Sequence, residues 1–200
     1  LDNVYKHIEN LKEKFGLNVI VAINKYDMDS EKEIEFLKQK LEEKKIEMSL
    51  VEGWAKGGEG AVDIAQKLVN LTQEKENFQY IYEETDSIKT KIEKVSKEIY
   101  RAKNVVYQEE ALKEIEKIEK MGYKKLPICI AKTQYSFSDD PKNLECKDDY
   151  DIHISNVELK SGAGFIVAFA GKIMTMPGLP KSPAAENIDI NEDGEIIGIF

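Results

Sequence analysis

Residues 17–51, LNVIVAINKYDMDSEKEIEFLKQKLEEKKIEMSLV, decide the fold. Leu17 to Ile23 form a nearly continuous apolar run rich in β-branched residues, which predicts a parallel strand buried on both faces. Ser30 followed by Glu33 supplies a capping box for a helix running to about Glu43, with Ile34, Leu37 and Leu41 on one side. Ile46 to Val51 then reads as a second strand. Working outward, Val4, Ile8 and Leu11 mark a preceding helix that Gly16 stops. On the other side, Gly53 to Gly60 is a glycine-rich loop, followed by a helix with Val62, Ala65 and Val69 on its apolar face. Strand and helix alternate, so the expected class is α/β with a small parallel layer.

Past Thr72 the polar run Gln73 to Asn77 reads as a boundary or an exposed connection. Ile88, Ile92, Val95 and Ile99 predict a helix over 86–101. Leu112, Ile115 and Ile118 predict another over 108–121, with Gly122 as its C-cap. Their Glu and Lys residues read as solvated faces. Leu126 to Ala131 is an expected strand, Lys132 to Asn143 a polar loop, and Ile152 to Leu159 an alternating, one-faced strand. Ser161 to Gly164 reads as a tight turn before an apolar strand over Phe165 to Ala170. The two prolines of Met174 to Pro180 predict a rigid extended loop. Asn191 to Gly194 separates Ile188–Ile190 from Ile196–Ile199 as a hairpin would. The expected organisation is an α/β domain over residues 1–95, then a second α+β domain over 96–200 with a C-terminal hairpin.

The 200 residues carry 29 Lys+Arg against 38 Asp+Glu, a net charge of −9. That balance argues against nonspecific binding to nucleic acid or to an anionic membrane. No apolar run approaches the roughly 18–20 residues that a membrane span needs. The start, Leu1-Asp2-Asn3-Val4-Tyr5, has neither an initiator Met nor a leader pattern, and reads as cut from something longer. Ending on a paired apolar strand suits a genuine C-terminus. Cys129 and Cys146 do not suggest a disulfide framework, and Cys129, within LPICIA, reads as a small buried hydrophobe. His7 and His153 lack metal-ligand spacing, so no metal site and no His-based triad are expected. A reducing cytoplasm is the simplest compartment.

Three places hold residues suited to chemistry. Asn24-Lys25-Tyr26-Asp27 fits the N-K-x-D pattern that reads guanine, yet no G-x-x-x-x-G-K-[ST] phosphate cradle accompanies it. Ligands of open α/β sheets bind beyond the carboxyl ends of the strands. Tyr26 follows one strand and Trp54 the next, so these aromatics could clamp a flat heterocycle, or Trp54 could be packing under its loop. Second, the loop Gly53 to Gly60 precedes a helix and could cradle an anion, with Lys56 adding charge. Third, KTQYSFSDDP (132–141) could line a site, although Ser and Asp turns that satisfy their own backbone are the favoured reading.

Taken together, VAINKYDMDSEKEIEF, EGWAKGGEGAVDIAQKLV, KIEKVSKEIYRAKNV, LPICIAKTQYSFSDDPKNL and SGAGFIVAFAGKIMTMPGLPKSPAAENIDINEDGEIIGIF resemble formate–tetrahydrofolate ligase, in family order and over essentially the whole chain. The resemblance implies ATP-dependent joining of formate to tetrahydrofolate through formyl phosphate, within one-carbon metabolism. It implies that the chain is a C-terminal portion, and that ATP with Mg is bound mainly by a missing N-terminal P-loop domain. Tetrahydrofolate would be a substrate, its pterin sandwiched by Tyr26 and Trp54 with Leu50 as an apolar wall. Lys56, Gly57 and Gly58 would form part of the site loop, and the catalytic residues stay unassigned. The implied full-length enzyme is a cytoplasmic homo-oligomer, and the portion alone would be inactive; the alternative is a non-catalytic folate- or nucleotide-binding module. Four departures stand out: Tyr26 where Phe is usual, ECKDDYD over 145–151, Asn156 where Arg is common, and Lys172 where an acidic residue is usual.

Overall fold

A parallel pair of strands needs a crossover, and the capped helix of residues 31–43 provides it. In the computed structural model, which describes residues 1–144, 149–173 and 181–198, β1 (Val21–Asn24) and β2 (Met48–Val51) run parallel, with Val21 opposite Met48 and Asn24 opposite Val51. Helix α1 (Asp2–Glu9) precedes them and α2 (Glu31–Glu43) joins them. Both halves of the α2 capping box form: Glu33 N–H donates to Ser30 Oγ at 3.3 Å, and Ser30 N–H donates to Glu33 Oε2 at 3.1 Å. The chain then makes a short helix, α3 (Gly53–Lys56), and a 3₁₀ turn over Gly57–Ala61 before α4 (Val62–Leu71). The expected glycine-rich loop is therefore two short helical turns.

The strand expected over 17–23 begins only at Val21, and along β1 half-buried Val21 and Ile23 alternate with exposed Ala22 and Asn24. Burial on both faces does not occur. Among the described residues β1 has β2 as its one partner, so no second strand or covering helix shields Ala22 and Asn24. Gly16 does stop the first helix, after a π turn over Asn10–Lys14. Its φ of +67° is left-handed, and a side chain there would run into the carbonyl oxygen of Asn77.

The second sheet has the order β3-β5-β6-β4. Its strands are β3 (Asn104–Tyr107), β4 (Ile128–Ala131), β5 (Asp151–Lys160) and β6 (Phe165–Ala170). The two edge strands run parallel to their neighbours, whereas β5 and β6 are antiparallel. One face packs against α5 (Ile88–Lys94), which continues as a π turn over Val95–Ile99, and α6 (Glu109–Lys120). Ile88, Ile92, Ala111, Ile115, Ile118, Ile152, Ile154, Val157, Ile166, Ala168 and Ala170 form the buried core. A bulge between Ile154 and Asn156 shifts the β5 register, so Ile152 and Ile154 before it and Val157 after it all face the helices. Ser155 at the bulge donates to the carbonyls of Phe169 (3.2 Å) and Gly171 (3.1 Å).

Lys91 lies inside this packing with no exposed surface. Its ammonium donates to the carbonyls of Lys124 (2.8 Å) and Leu126 (3.1 Å) and stands over the Tyr82 ring, while burial lowers its pKa. Cys129, expected to be buried, is exposed. Ile128 and Ile130 pack against the core, so Cys129 between them must point to the opposite face, which the helices leave open. The strand β3 was not expected from sequence. The first layer meets the second through Asn10 Nδ2, donating to Ile99 O at 2.9 Å, and through Arg101 with Glu9 at 3.0 Å. The C-terminal hairpin forms as β7 (Asp189–Ile190) and β8 (Ile196–Ile197), antiparallel. The expectations for Met174 to Pro180, Cys146 and Ile199 fall outside the described residues. No helix of the described residues is long and apolar enough to cross a membrane.

Candidate functional site

The parallel pairing of β1 and β2 sends both chains out of the sheet on the same side, and each exit carries an aromatic residue. Lys25 N–H donates to Val51 O at 2.8 Å, which extends the β1–β2 ladder by one step. The next residue is held by a closed turn: Tyr26 N–H donates to Asp29 Oδ2 at 2.8 Å, and Asp29 N–H donates to Tyr26 O at 3.0 Å. From β2, Glu52 leads straight into α3, which bears Trp54. The Tyr26 and Trp54 rings stand 6.4 Å apart between centroids, tilted by 50°. Both are open to solvent, Tyr26 at 49% and Trp54 at 68%. For large aromatic side chains such exposure is costly, since burying them is a main source of stability elsewhere.

Glu52 organises the turn beneath Trp54. Its carbonyl accepts from Ala55 N–H (3.1 Å) and Lys56 N–H (2.9 Å), and its own N–H donates to Gly60 O at 3.0 Å. Its carboxylate accepts from Lys56 Nζ at 2.6 Å and lies 3.9 Å from Lys25 Nζ. The Lys56 hydrogen bond, aided by the charges of Lys56 and Lys25, holds the Glu52 carboxyl below the usual carboxylate value. Lys56 is thus engaged with an acid of its own turn, so the extra positive charge expected for an anion cradle is largely neutralised. Glu52 was not singled out from sequence; an acid flanked by lysines at 25 and 56 becomes visible as a hub only when the two strands pair.

The glycines of this turn differ in what they do. A side chain at Gly60 would collide with the backbone carbonyl of Glu52, so Gly60 allows the close approach that shuts the turn. Gly57 takes a left-handed φ of +57°. Gly58 has neither excuse: its φ is not left-handed, and a Cβ there would meet nothing within 4 Å. Leu50 sits in β2 opposite Ile23, half-buried. Its neighbour Ser49 donates to Asp63 of α4 at 2.6 Å, so by strand alternation Leu50 points away from α4.

The other polar candidates satisfy much of their own backbone, and Lys132, Thr133, Gln134, Tyr135, Ser136 and Phe137 also line a pocket of about 300 Å³ with His7 and Tyr100. In the 132–141 stretch, Asp140 N–H donates to Ser138 Oγ at 3.1 Å, Lys142 N–H to Asp140 Oδ1 at 2.9 Å, and Tyr135 N–H to Thr133 Oγ1 at 3.3 Å. Lys132 donates to the carbonyls of Thr133 and Ser136 and lies over Tyr100, and burial lowers its pKa. Asp139 bonds both His153 N–H (2.8 Å) and His153 Nδ1 (2.9 Å) beside a groove of about 830 Å³ that Gln108, Asn156 and Lys172 also line. Among the described residues no three His, Cys, Asp or Glu side chains stand together so as to hold a metal ion. Comparison with known protein families matches the chain to the family described as formate–tetrahydrofolate ligase, over residues 1–200.

Proposed function

The chain belongs to the formate–tetrahydrofolate ligase family, and from that premise we propose that it supplies the folate-binding part of the ligase site, with Tyr26 and Trp54 stacking on the two faces of the pterin. The observation that carries this reading is the pair of exposed aromatic rings, 6.4 Å apart, beyond the carboxyl ends of two adjacent parallel strands. Gly58 adds support, because nothing in its own backbone or surroundings demands glycine, and a site loop that a substrate approaches closely would. Leu50 forms an apolar wall of the same pocket, and Lys56 and Gly57 belong to its loop.

The reaction joins formate, ATP and tetrahydrofolate. A phosphoryl group passes from ATP to a formate oxygen, giving formyl phosphate and ADP. The secondary aromatic amine of tetrahydrofolate then attacks the formyl carbon. The bond to the phosphate oxygen breaks, the amine loses its proton, and 10-formyltetrahydrofolate and phosphate are left. Such transfers depend on holding the amine in line with the acyl carbon and on stabilising developing negative charge. An aromatic clamp contributes to the first of these, by fixing the pterin to which the amine is joined through one methylene.

ATP with Mg belongs to residues beyond these 200 in this reading, since the sequence contains no phosphate cradle and the described residues offer no carboxylate cluster for the ion. The 200 residues alone are expected to form no 10-formyltetrahydrofolate from ATP, formate and tetrahydrofolate. ATP-dependent product would overturn that division of labour. In the complete ligase, Trp54→Ala should weaken tetrahydrofolate binding by about 1–3 kcal/mol by isothermal titration calorimetry. Unchanged affinity would remove Trp54 from the site.

A further inference from the structure

The N-K-x-D stretch has no phosphate cradle to work with, but its first residue is not idle. Asn24, the last residue of β1, donates from Nδ2 to the Tyr26 hydroxyl at 2.8 Å. The backbone of Tyr26 is already fixed by its turn with Asp29, so this bond fastens the far end of the side chain as well. An aromatic side chain has two rotatable bonds, and holding both the backbone and the ring tip removes that freedom. Trp54 has a different setting, two-thirds exposed on a four-residue helix.

The ring geometry gives this asymmetry a purpose. A flat heterocycle needs about 3.5 Å on each face, so stacking rings must be about 7 Å apart and parallel. The present pair is 6.4 Å apart and tilted by 50°, too close and too oblique to hold one. One ring has to swing outward as the ligand enters. We propose that Asn24 is a positioning residue that makes Tyr26 the fixed jaw of the clamp, leaving Trp54 as the jaw that moves. Because the phenol oxygen accepts from Asn24, its own proton is directed elsewhere and is available to an acceptor on the edge of the ligand. This inference rests on the folate reading above.

The test is a double-mutant cycle in the complete ligase, read as the tetrahydrofolate dissociation constant and the KM values for all three substrates. Asn24→Ala is expected to weaken tetrahydrofolate about two- to fivefold, the scale of one lost hydrogen bond. Tyr26→Phe should lose at least as much, since it also removes the proton offered to the ligand, and Asn24→Ala should add nothing in the Tyr26→Phe background. The KM values for ATP and formate should stay at wild-type levels. An equal loss from Asn24→Ala in both backgrounds, or none in either, overturns the proposal. Trp54→Ala serves as the control for the underlying reading. If it weakens tetrahydrofolate while the cycle shows no coupling, only the role of Asn24 falls; if it changes nothing, the folate reading falls and the role of Asn24 with it.

Discussion

The β1–β2 layer and the four-stranded sheet are built from similar residues and buried very differently. The four-stranded sheet lays Ile152, Ile154, Val157 and Ile166 against Ile88, Ile92, Ala111, Ile115 and Ile118, all buried. In the β1–β2 layer, Ile8 and Leu41 are the buried apolar side chains among the described residues up to position 72, and Tyr26, Phe36, Trp54, Val62, Leu68 and Val69 are exposed. In the proposed reading, the contrast separates support from function. The proposed clamp lies on the layer that invests least in its own core, as expected where a site has to open. The well-packed sheet anchors it through the Asn10–Ile99 and Glu9–Arg101 links.

The largest expected difference between the layers is in side-chain truncation. Ile154→Ala removes a fully buried side chain from the second core and should cost about 2–5 kcal/mol in urea unfolding. Val69→Ala, at an exposed helix position, should stay within about 0.5 kcal/mol. Comparable losses at the two positions would mean that something covers α4 and that the contrast is false.

A second pair of variants sharpens the comparison inside the first layer. Gly60→Ala forces a methyl group against the Glu52 carbonyl and should destabilise by about 1–3 kcal/mol, with weaker folate binding as a consequence. Gly58→Ala meets no neighbour and should leave stability within about 0.5 kcal/mol, yet still lower tetrahydrofolate affinity. Unchanged affinity in Gly58→Ala would take Gly58 out of the site loop.

Acid should separate the layers by a smaller margin. Hydrogen bonds from Ser30 to Glu33, Lys56 to Glu52, and Ser49 and Lys67 to Asp63 lower the pKa of each of these carboxyls. A depressed folded pKa gives stability that is present above the unfolded value and lost as pH falls through the folded one. The window therefore lies below about pH 4.5. All three groups belong to the first layer, so hydrogen exchange at β1 and β2 should accelerate there before exchange at β5 and β6 does. Simultaneous acceleration would place the acid-sensitive contacts elsewhere; Asp86, also lowered, by Lys94, is the natural candidate.

Much of this was legible in the sequence, and the failures have physical causes. The β1–α2–β2 unit and its capping box follow from local pattern, and so does the location of two aromatics at neighbouring strand ends. The four-residue β3, NVVY between Lys103 and Gln108, carries too little periodicity to be distinguished from a connection. Cys129 sits in an apolar run, but which face of a strand is covered depends on where the helices pack. The asymmetry of the proposed clamp could not be read either. Asn24 looks like part of a guanine motif until its amide is found on the Tyr26 hydroxyl, a contact set by side-chain rotamers rather than by spacing.

The central claim is that the thinly buried layer holds the folate while the densely packed sheet supports it. Hydrogen exchange of the complete ligase with and without tetrahydrofolate tests this directly. Added tetrahydrofolate should slow exchange across residues 21–29 and 50–61 and leave 151–170 unchanged. Protection confined to 151–170 and the groove beside His153, with residues 21–29 and 50–61 unaffected, would contradict it.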